Sequence, residues 1–80
     1  MRFLIFKLKR PLLTMRTADL ILNSINLCKI PFDEKGVILD RANRQILVPV
    51  QIAVTAQHMQ SLKSYLSDDV ASIEAGSLGH

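Results

Sequence analysis

The stretch of sequence that decides the fold is Val-Ile-Leu-Asp-Arg-Ala-Asn-Arg-Gln-Ile-Leu-Val, residues 37–48. Two aliphatic runs flank a polar segment, as in a β-hairpin. Asp40 can accept hydrogen bonds from nearby backbone amides, and Asn43 tolerates the left-handed conformation that a G1 bulge requires. The apolar alternation continues beyond Pro49, which has no N–H to donate. We therefore predict a hairpin with Asn43 in the left-handed position, and an edge, bulge or bend at Pro49 with pairing ending near Val48.

A strand and a helix are predicted before this hairpin. Residues 2–9 alternate in the manner of a strand whose first half is buried on both faces, and Pro11 ends it. A helix then begins at an N-cap, either Thr14 or Thr17, and stops before Pro31, which disfavours helical geometry in the preceding residue.

A second helix is predicted after the hairpin, with Thr55 as its N-cap and Met59, Leu62 and Leu66 on its apolar side. Beyond Leu66 we expect only a short turn, weakly anchored by its apolar residues. The predicted order is therefore β-α-β-β-α. It defines a single α+β domain over residues 1–75, with helices on one face of a small mixed or antiparallel sheet and a flexible tail over 76–80.

Length and composition limit the class of protein. The chain has 80 residues, 49% of them hydrophobic, which suits one folded domain and leaves no room for a separate cofactor domain. Its one cysteine, Cys28, excludes an intrachain disulfide and favours a reducing compartment. We expect a cytoplasmic protein without a membrane span. Organelle targeting by the basic segment 1–16 is the alternative.

The first predicted helix is apolar on two sides. The core stripe comprises Ala18, Ile21, Leu22, Ile25 and Cys28. Leu20 and Leu27 fall on the opposite side, which an 80-residue chain has little surface to cover. This predicts a homo-oligomer or a partner protein docked over Leu20 and Leu27. The alternative is cover by Leu12, Leu13 or the C-terminal segment of the same chain.

Charge is unevenly distributed along the chain. Residues 1–16 carry a net charge of +5 and residues 63–80 carry −2. This asymmetry predicts a partner with an acidic surface, or head-to-tail attraction between copies. The candidate partner-binding residues are Lys7, Lys9, Arg10, Arg16, Arg41 and Arg44. Two alternatives remain open for them: phosphate contacts to a nucleic acid, or cations that only protect a strand edge or are solvated.

Catalysis is disfavoured by the residues present. Cys28 and His58 are the one candidate pair of nucleophile and base, but Cys28 lies on the apolar stripe, where a free cysteine behaves as a small hydrophobe. No short-spaced metal ligands and no glycine-rich phosphate loop occur, so we expect no metal and no cofactor. The sequence predicts a non-enzymatic protein-binding module that self-associates and engages an acidic partner surface. The alternative is a nucleic-acid-binding regulator that uses the basic N-terminal strand and the hairpin tip.

Overall fold

The structure, a computed structural model, describes residues 2–11 and 15–77. The elements are β1 (Arg2–Leu8), α1 (Arg16–Leu27), β2 (Ile38–Asp40), β3 (Gln45–Val50), α2 (Ala56–Leu66) and β4 (Val70–Ser77), with a 3-10 turn at Glu34–Gly36 before β2. The strands form one four-stranded sheet in the order β2-β3-β1-β4, and every neighbouring pair is antiparallel. The predicted α+β class and the hairpin are confirmed. This order and connectivity form the ferredoxin-like β-α-β-β-α-β arrangement, which hosts many unrelated functions.

The strand β4 is missing from the predicted element order. Val70 and Ile73 are three residues apart, a spacing that indicates a helical turn rather than a strand. In the sheet, the register shifts between Lys7 and Leu8, so that Val70 pairs with Leu8 and Ile73 with Phe6. This bulge brings both residues to the same face despite their odd spacing. β4 includes Gly76 and Ser77, the first two residues of the predicted tail, and residues 78–80 lie outside the described part of the chain.

One face of the sheet, here called the covered face, packs against both helices. Leu4, Phe6, Ile46 and Val48 of the central strands are fully buried on this face. From the helices, the same core receives Ala18, Ile21, Ile25, Leu62 and Leu66. The predicted stripe of α1 is therefore its core face, with Leu22 and Cys28 packed at its margin. Ser24 is also buried, because its Oγ donates to the Leu20 carbonyl 2.9 Å away and needs no water.

The other face of the sheet, here called the open face, is packed against neither of the two helices that the described residues form. Phe3, Ile5 and Lys7 of β1 lie on it, and burial decreases along these three residues as predicted. β3 continues through Pro49 to Val50, so the predicted end near Val48 is wrong. The Pro49 carbonyl accepts from Asp33 N–H at 3.0 Å, on the side where β2 has already ended. The missing N–H of Pro49 therefore costs no ladder bond.

α1 begins without a side-chain cap and ends in a left-handed turn. The N-cap of α1 is Met15, without a side-chain hydrogen bond, so Thr17 is not the cap, and Thr14 lies outside the described residues. At its other end, Lys29 takes the left-handed conformation (φ 58°), and Ile30 N–H donates to the Ile25 carbonyl at 3.2 Å. This Schellman turn buries Ile30 in the core.

The start of α2 confirms the prediction from Thr55. The Thr55 hydroxyl accepts from His58 N–H at 3.2 Å, and His58 Nδ1 accepts from Thr55 N–H at 3.2 Å. The two residues thus satisfy two backbone donors at the helix start, which fixes where α2 begins.

Candidate interaction surface

The end of the sheet where β1 stops gathers cations from separate parts of the chain. Leu8 N–H donates to the Arg44 carbonyl at 2.8 Å, and Lys9 N–H donates to the Asp69 carbonyl at 3.1 Å. The chain leaving β1 is thus held between the hairpin turn and the turn before β4. We call this region the basic end; it comprises Lys7, Lys9, Arg10, Arg16, Arg41, Arg44 and Lys63. All six predicted partner-binding residues belong to it. Lys63 was not predicted, because its sequence position does not reveal that the last turn of α2 comes to this end.

Part of the basic N-terminal charge is engaged within the chain. Lys9 Nζ donates to the Ser67 carbonyl at 2.7 Å, at the C-terminus of α2, where a cation is favourable. Lys7 Nζ lies 3.7 Å from Glu74 Oε1, with both side chains about half exposed. Solvent screens such a pair, so it adds little stability. The basic start and the acidic C-terminal part of the sequence are therefore neighbours in one sheet.

The cations of β1 do not protect a sheet edge. β1 is an interior strand between β3 and β4, so the interpretation of Lys7 and Lys9 as edge protection is wrong. The physical reason is the added strand β4, which occupies the edge position that the predicted three-stranded order left to β1.

The hairpin turn holds Arg44 in a defined position. Arg44, and not Asn43 as predicted, has the left-handed conformation (φ 52°). Asp40 decides this, because its Oδ1 accepts from Asn43 N–H at 3.2 Å and its Oδ2 accepts from Asn43 Nδ2 at 2.8 Å. These hydrogen bonds, the side-chain one first, hold the pKa of Asp40 below its usual value. Asn43 is thus bound to Asp40 at the surface of the loop, and the arginines at 41 and 44 are also exposed.

A groove connects the basic end to the outer side of α1. It has a volume of about 460 Å³ and is lined by Arg16, Thr17, Asp19, Leu20, Asn23 and Asp69. Leu20 is 38% exposed and Leu27 is 65% exposed, so both predicted interface residues face solvent. β4, the described part of the C-terminal segment, pairs with β1 and does not cover them, while residues 12, 13 and 78–80 lie outside the described part of the chain.

Acidic side chains also occur at the basic end, namely Asp19, Asp40, Asp68 and Asp69. The surface is therefore mixed in sign with an excess of positive charge. Arg10 is the second residue after β1 and is exposed, as is Arg44. Lys7, Lys9, Arg16 and Arg41 already have interactions within the chain. Of the other cations at this end, Arg10 and Arg44 are the two that can bind a carboxylate through paired N–H donors.

The cysteine and histidine have structural positions. Cys28 is the C-cap residue of α1, half-buried beside the core, and desolvation raises its pKa, which disfavours the thiolate. His58 holds the start of α2 through Nδ1. Within residues 2–11 and 15–77, no three His, Cys, Asp or Glu side chains are grouped so that they could hold a metal ion. Over the same residues, no helix has the length and apolar character needed to cross a membrane.

No protein-family model, curated protein or solved structure matches this chain.

Proposed function

We propose that the protein is a small, non-enzymatic protein-binding module that engages an acidic partner surface through its basic end. One observation carries this proposal: the end of β1 is held against the hairpin turn by the Leu8-to-Arg44 backbone bond of 2.8 Å. That bond brings Arg10 and Arg44, which are far apart in sequence, to the same end of the sheet.

The chemistry of this end suits carboxylates on a protein. Arginine binds carboxylates through paired N–H donors. The backbone of Arg44 is held by hydrogen bonds, and Arg10 follows Lys9, whose N–H donates to the Asp69 carbonyl. The four aspartates at the same end interrupt the positive surface, so they oppose the series of regularly spaced phosphate contacts that a nucleic-acid backbone makes. Individual side-chain carboxylates of a protein can still reach the two arginines.

Nucleic-acid binding has less support from the same surface. A single-stranded nucleic acid needs exposed aromatic rings on which its bases can stack. On β1, Phe3 is 7% exposed and Phe6 is fully buried. Tyr65 on α2 is the one aromatic residue, within the described part of the chain, whose side chain is largely exposed. The sheet therefore offers no stacking platform.

The test is direct binding of the whole chain to two polyanions, poly-L-glutamate and a mixed-sequence 20-base-pair DNA, at about 50 mM salt, where charge contacts are strong. We expect binding to polyglutamate that weakens as salt is raised. The variant Arg10→Gln/Arg44→Gln should lose about tenfold in affinity, equivalent to roughly 1.4 kcal/mol.

The matched control removes the same charge from the other end of the sheet. Arg2 and Lys35 are both exposed, so Arg2→Gln/Lys35→Gln should leave polyglutamate binding nearly unchanged. Equal losses of polyglutamate affinity in the two variants would show that binding depends only on net charge and would contradict the proposal. DNA binding that is tighter than polyglutamate binding and depends on Arg10 and Arg44 would establish the nucleic-acid alternative instead.

A further inference from the structure

The two edges of the sheet are unequal. β2 forms one edge and has three residues, whereas β4 forms the other and has eight. β4 pairs with β1 along its whole length, from Arg2 opposite Ser77 to Leu8 opposite Val70. Its other side faces no strand among the described residues, and no hydrogen bond outside the sheet is made there by its backbone. Alternate N–H and C=O groups of β4 are therefore directed towards solvent.

β4 also lacks the features that keep a natural edge from pairing. Edge strands are protected by short length, by lysine or proline, or by bulges along them. β4 contains no lysine, arginine or proline, and its bulge lies at its first residues only, so 72–77 are regular. Glu74 is its one charged residue, and that side chain is directed to the open face beside Lys7. The exposed alanines at 71 and 75 leave the edge sterically accessible.

We infer that β4 pairs antiparallel with β4 of a second copy, joining two sheets into one continuous eight-stranded sheet. The proposed function concerns the basic end, and this inference goes beyond it. A second extended strand can pair its own N–H and C=O groups with those that β4 exposes along its edge. A two-fold axis then sets the same residues of both copies against each other.

The position of Glu74 selects the register. In an antiparallel pair, residues directly opposite each other have their side chains on the same face of the sheet. The two-fold axis must therefore pass between a residue of one copy and the same residue of the other. An axis at Glu74 would set two carboxylates against each other. An axis at Ile73 instead sets Glu74 opposite Ser72 of the second copy. Because Ser72 pairs with Lys7 within each chain, this register brings Glu74 of one copy towards Lys7 of the other. This register sets residues 70–76 of the two copies against each other, with the regular residues 72–74 at its centre.

An axis at Ile73 joins two apolar grooves as well. A groove of about 270 Å³ runs between α2 and β4, and its lining includes Leu66, Val70, Ala71 and Ile73. In the paired arrangement the two Ile73 side chains lie opposite each other on the covered face, and each groove is extended by the other copy. Backbone pairing and apolar burial therefore favour the same register.

The test is the mass of the whole chain in solution, by sedimentation or light scattering over a range of concentrations. We expect a dimer of twice the 9.0 kDa chain mass. Ala71→Lys/Ala75→Lys sets cations at exposed positions along the edge and should give a monomer, with a dissociation constant raised at least tenfold. Leu20→Ser/Leu27→Ser is the matched control, because it alters the other candidate surface, and it should remain dimeric.

Amide hydrogen exchange is the second measurement, and it needs no variant. Exchange within residues 71–77 should slow as the wild-type concentration is raised, while the amides of β2 should not change. A wild-type monomer at all concentrations overturns the inference. So does a dimer that is lost in Leu20→Ser/Leu27→Ser and kept in Ala71→Lys/Ala75→Lys. Neither result bears on polyglutamate binding, so the two proposals fail separately.

Discussion

On β1, the neighbouring residues Leu4 and Ile5 extend to opposite faces of the sheet. Leu4 is fully buried beneath the helices, whereas Ile5 lies half-buried on the open face. The covered face is closed by two helices, while the open face is closed at one end only, where the 3-10 turn at Glu34–Gly36 packs against Pro49. The same four strands therefore produce one face that is a core and one that remains a surface. The free energy of unfolding should therefore depend mainly on packing at the covered face.

The largest effect should come from exchanging each of these two neighbours for alanine. Leu4→Ala leaves a cavity under both helices and should lower the free energy of unfolding by about 3 kcal/mol. Ile5→Ala removes a partly exposed side chain and should cost about 1 kcal/mol. Urea denaturation of both variants measures the difference. Equal losses would mean that the open face is packed as firmly as the covered one.

The next effect concerns the 3-10 turn that covers one end of the open face. A Cβ added at Gly36 would lie 2.7 Å from Pro49 Cγ, so Gly36→Ala forces the turn or the buried proline to move. We expect a loss of about 1–3 kcal/mol. Gly76→Ala is the control, because its Cβ would lie 3.5 Å from Ile5 Cδ1, an ordinary contact. The midpoint temperature of thermal unfolding of Gly76→Ala should equal or slightly exceed that of wild type. A decrease as large as that of Gly36→Ala would show that the two glycine positions do not differ in packing.

A smaller effect, of opposite sign, should occur where α1 closes over the covered face. Lys29 is held at φ 58°, a conformation that costs a residue with a Cβ about 1–2 kcal/mol. Lys29→Gly should therefore raise the free energy of unfolding, by about 0.5–1 kcal/mol after the extra flexibility of the unfolded chain is included. Lys29→Ala removes the charge but keeps the Cβ and should bring no gain. A gain in Lys29→Ala would attribute the effect to charge.

The smallest effect is a pH dependence at the hairpin. Hydrogen bonds from Asn43 lower the pKa of Asp40 in the folded chain, so its ionised form stabilises the fold. This contribution is complete above the pKa of an unfolded carboxyl group, about 4, and disappears as pH falls through the lower folded value. The stability difference between wild type and Asp40→Asn should therefore shrink between pH 6 and pH 2. A difference that stays constant over this range would show that the charge of Asp40 does not matter.

Many residues of the candidate site could be predicted from the sequence, but their spatial arrangement could not. Residue types and local spacing predicted the cations Arg10 and Arg44 and the exposure of Leu20 and Leu27. Their arrangement depends on backbone bonds between distant segments, such as Leu8 to Arg44, which no local pattern encodes. The engagement of Lys9 by the Ser67 carbonyl could not be predicted either, because it requires the direction in which α2 returns across the sheet.

The sequence by itself determined the elements whose signals are local. The hairpin follows from turn residues between alternating strands, the start of α2 from Thr55 and His58, and the core face of α1 from apolar residues at helical spacing. Only the tertiary structure decided β4, because a bulge opposite Leu8 gives Val70 and Ile73 a common face that their spacing hides. That strand makes β1 an interior strand and leaves β4 as the long edge of the sheet. Strand pairing joins residues about 70 positions apart, and such contacts are set by the register of the whole sheet rather than by any local preference.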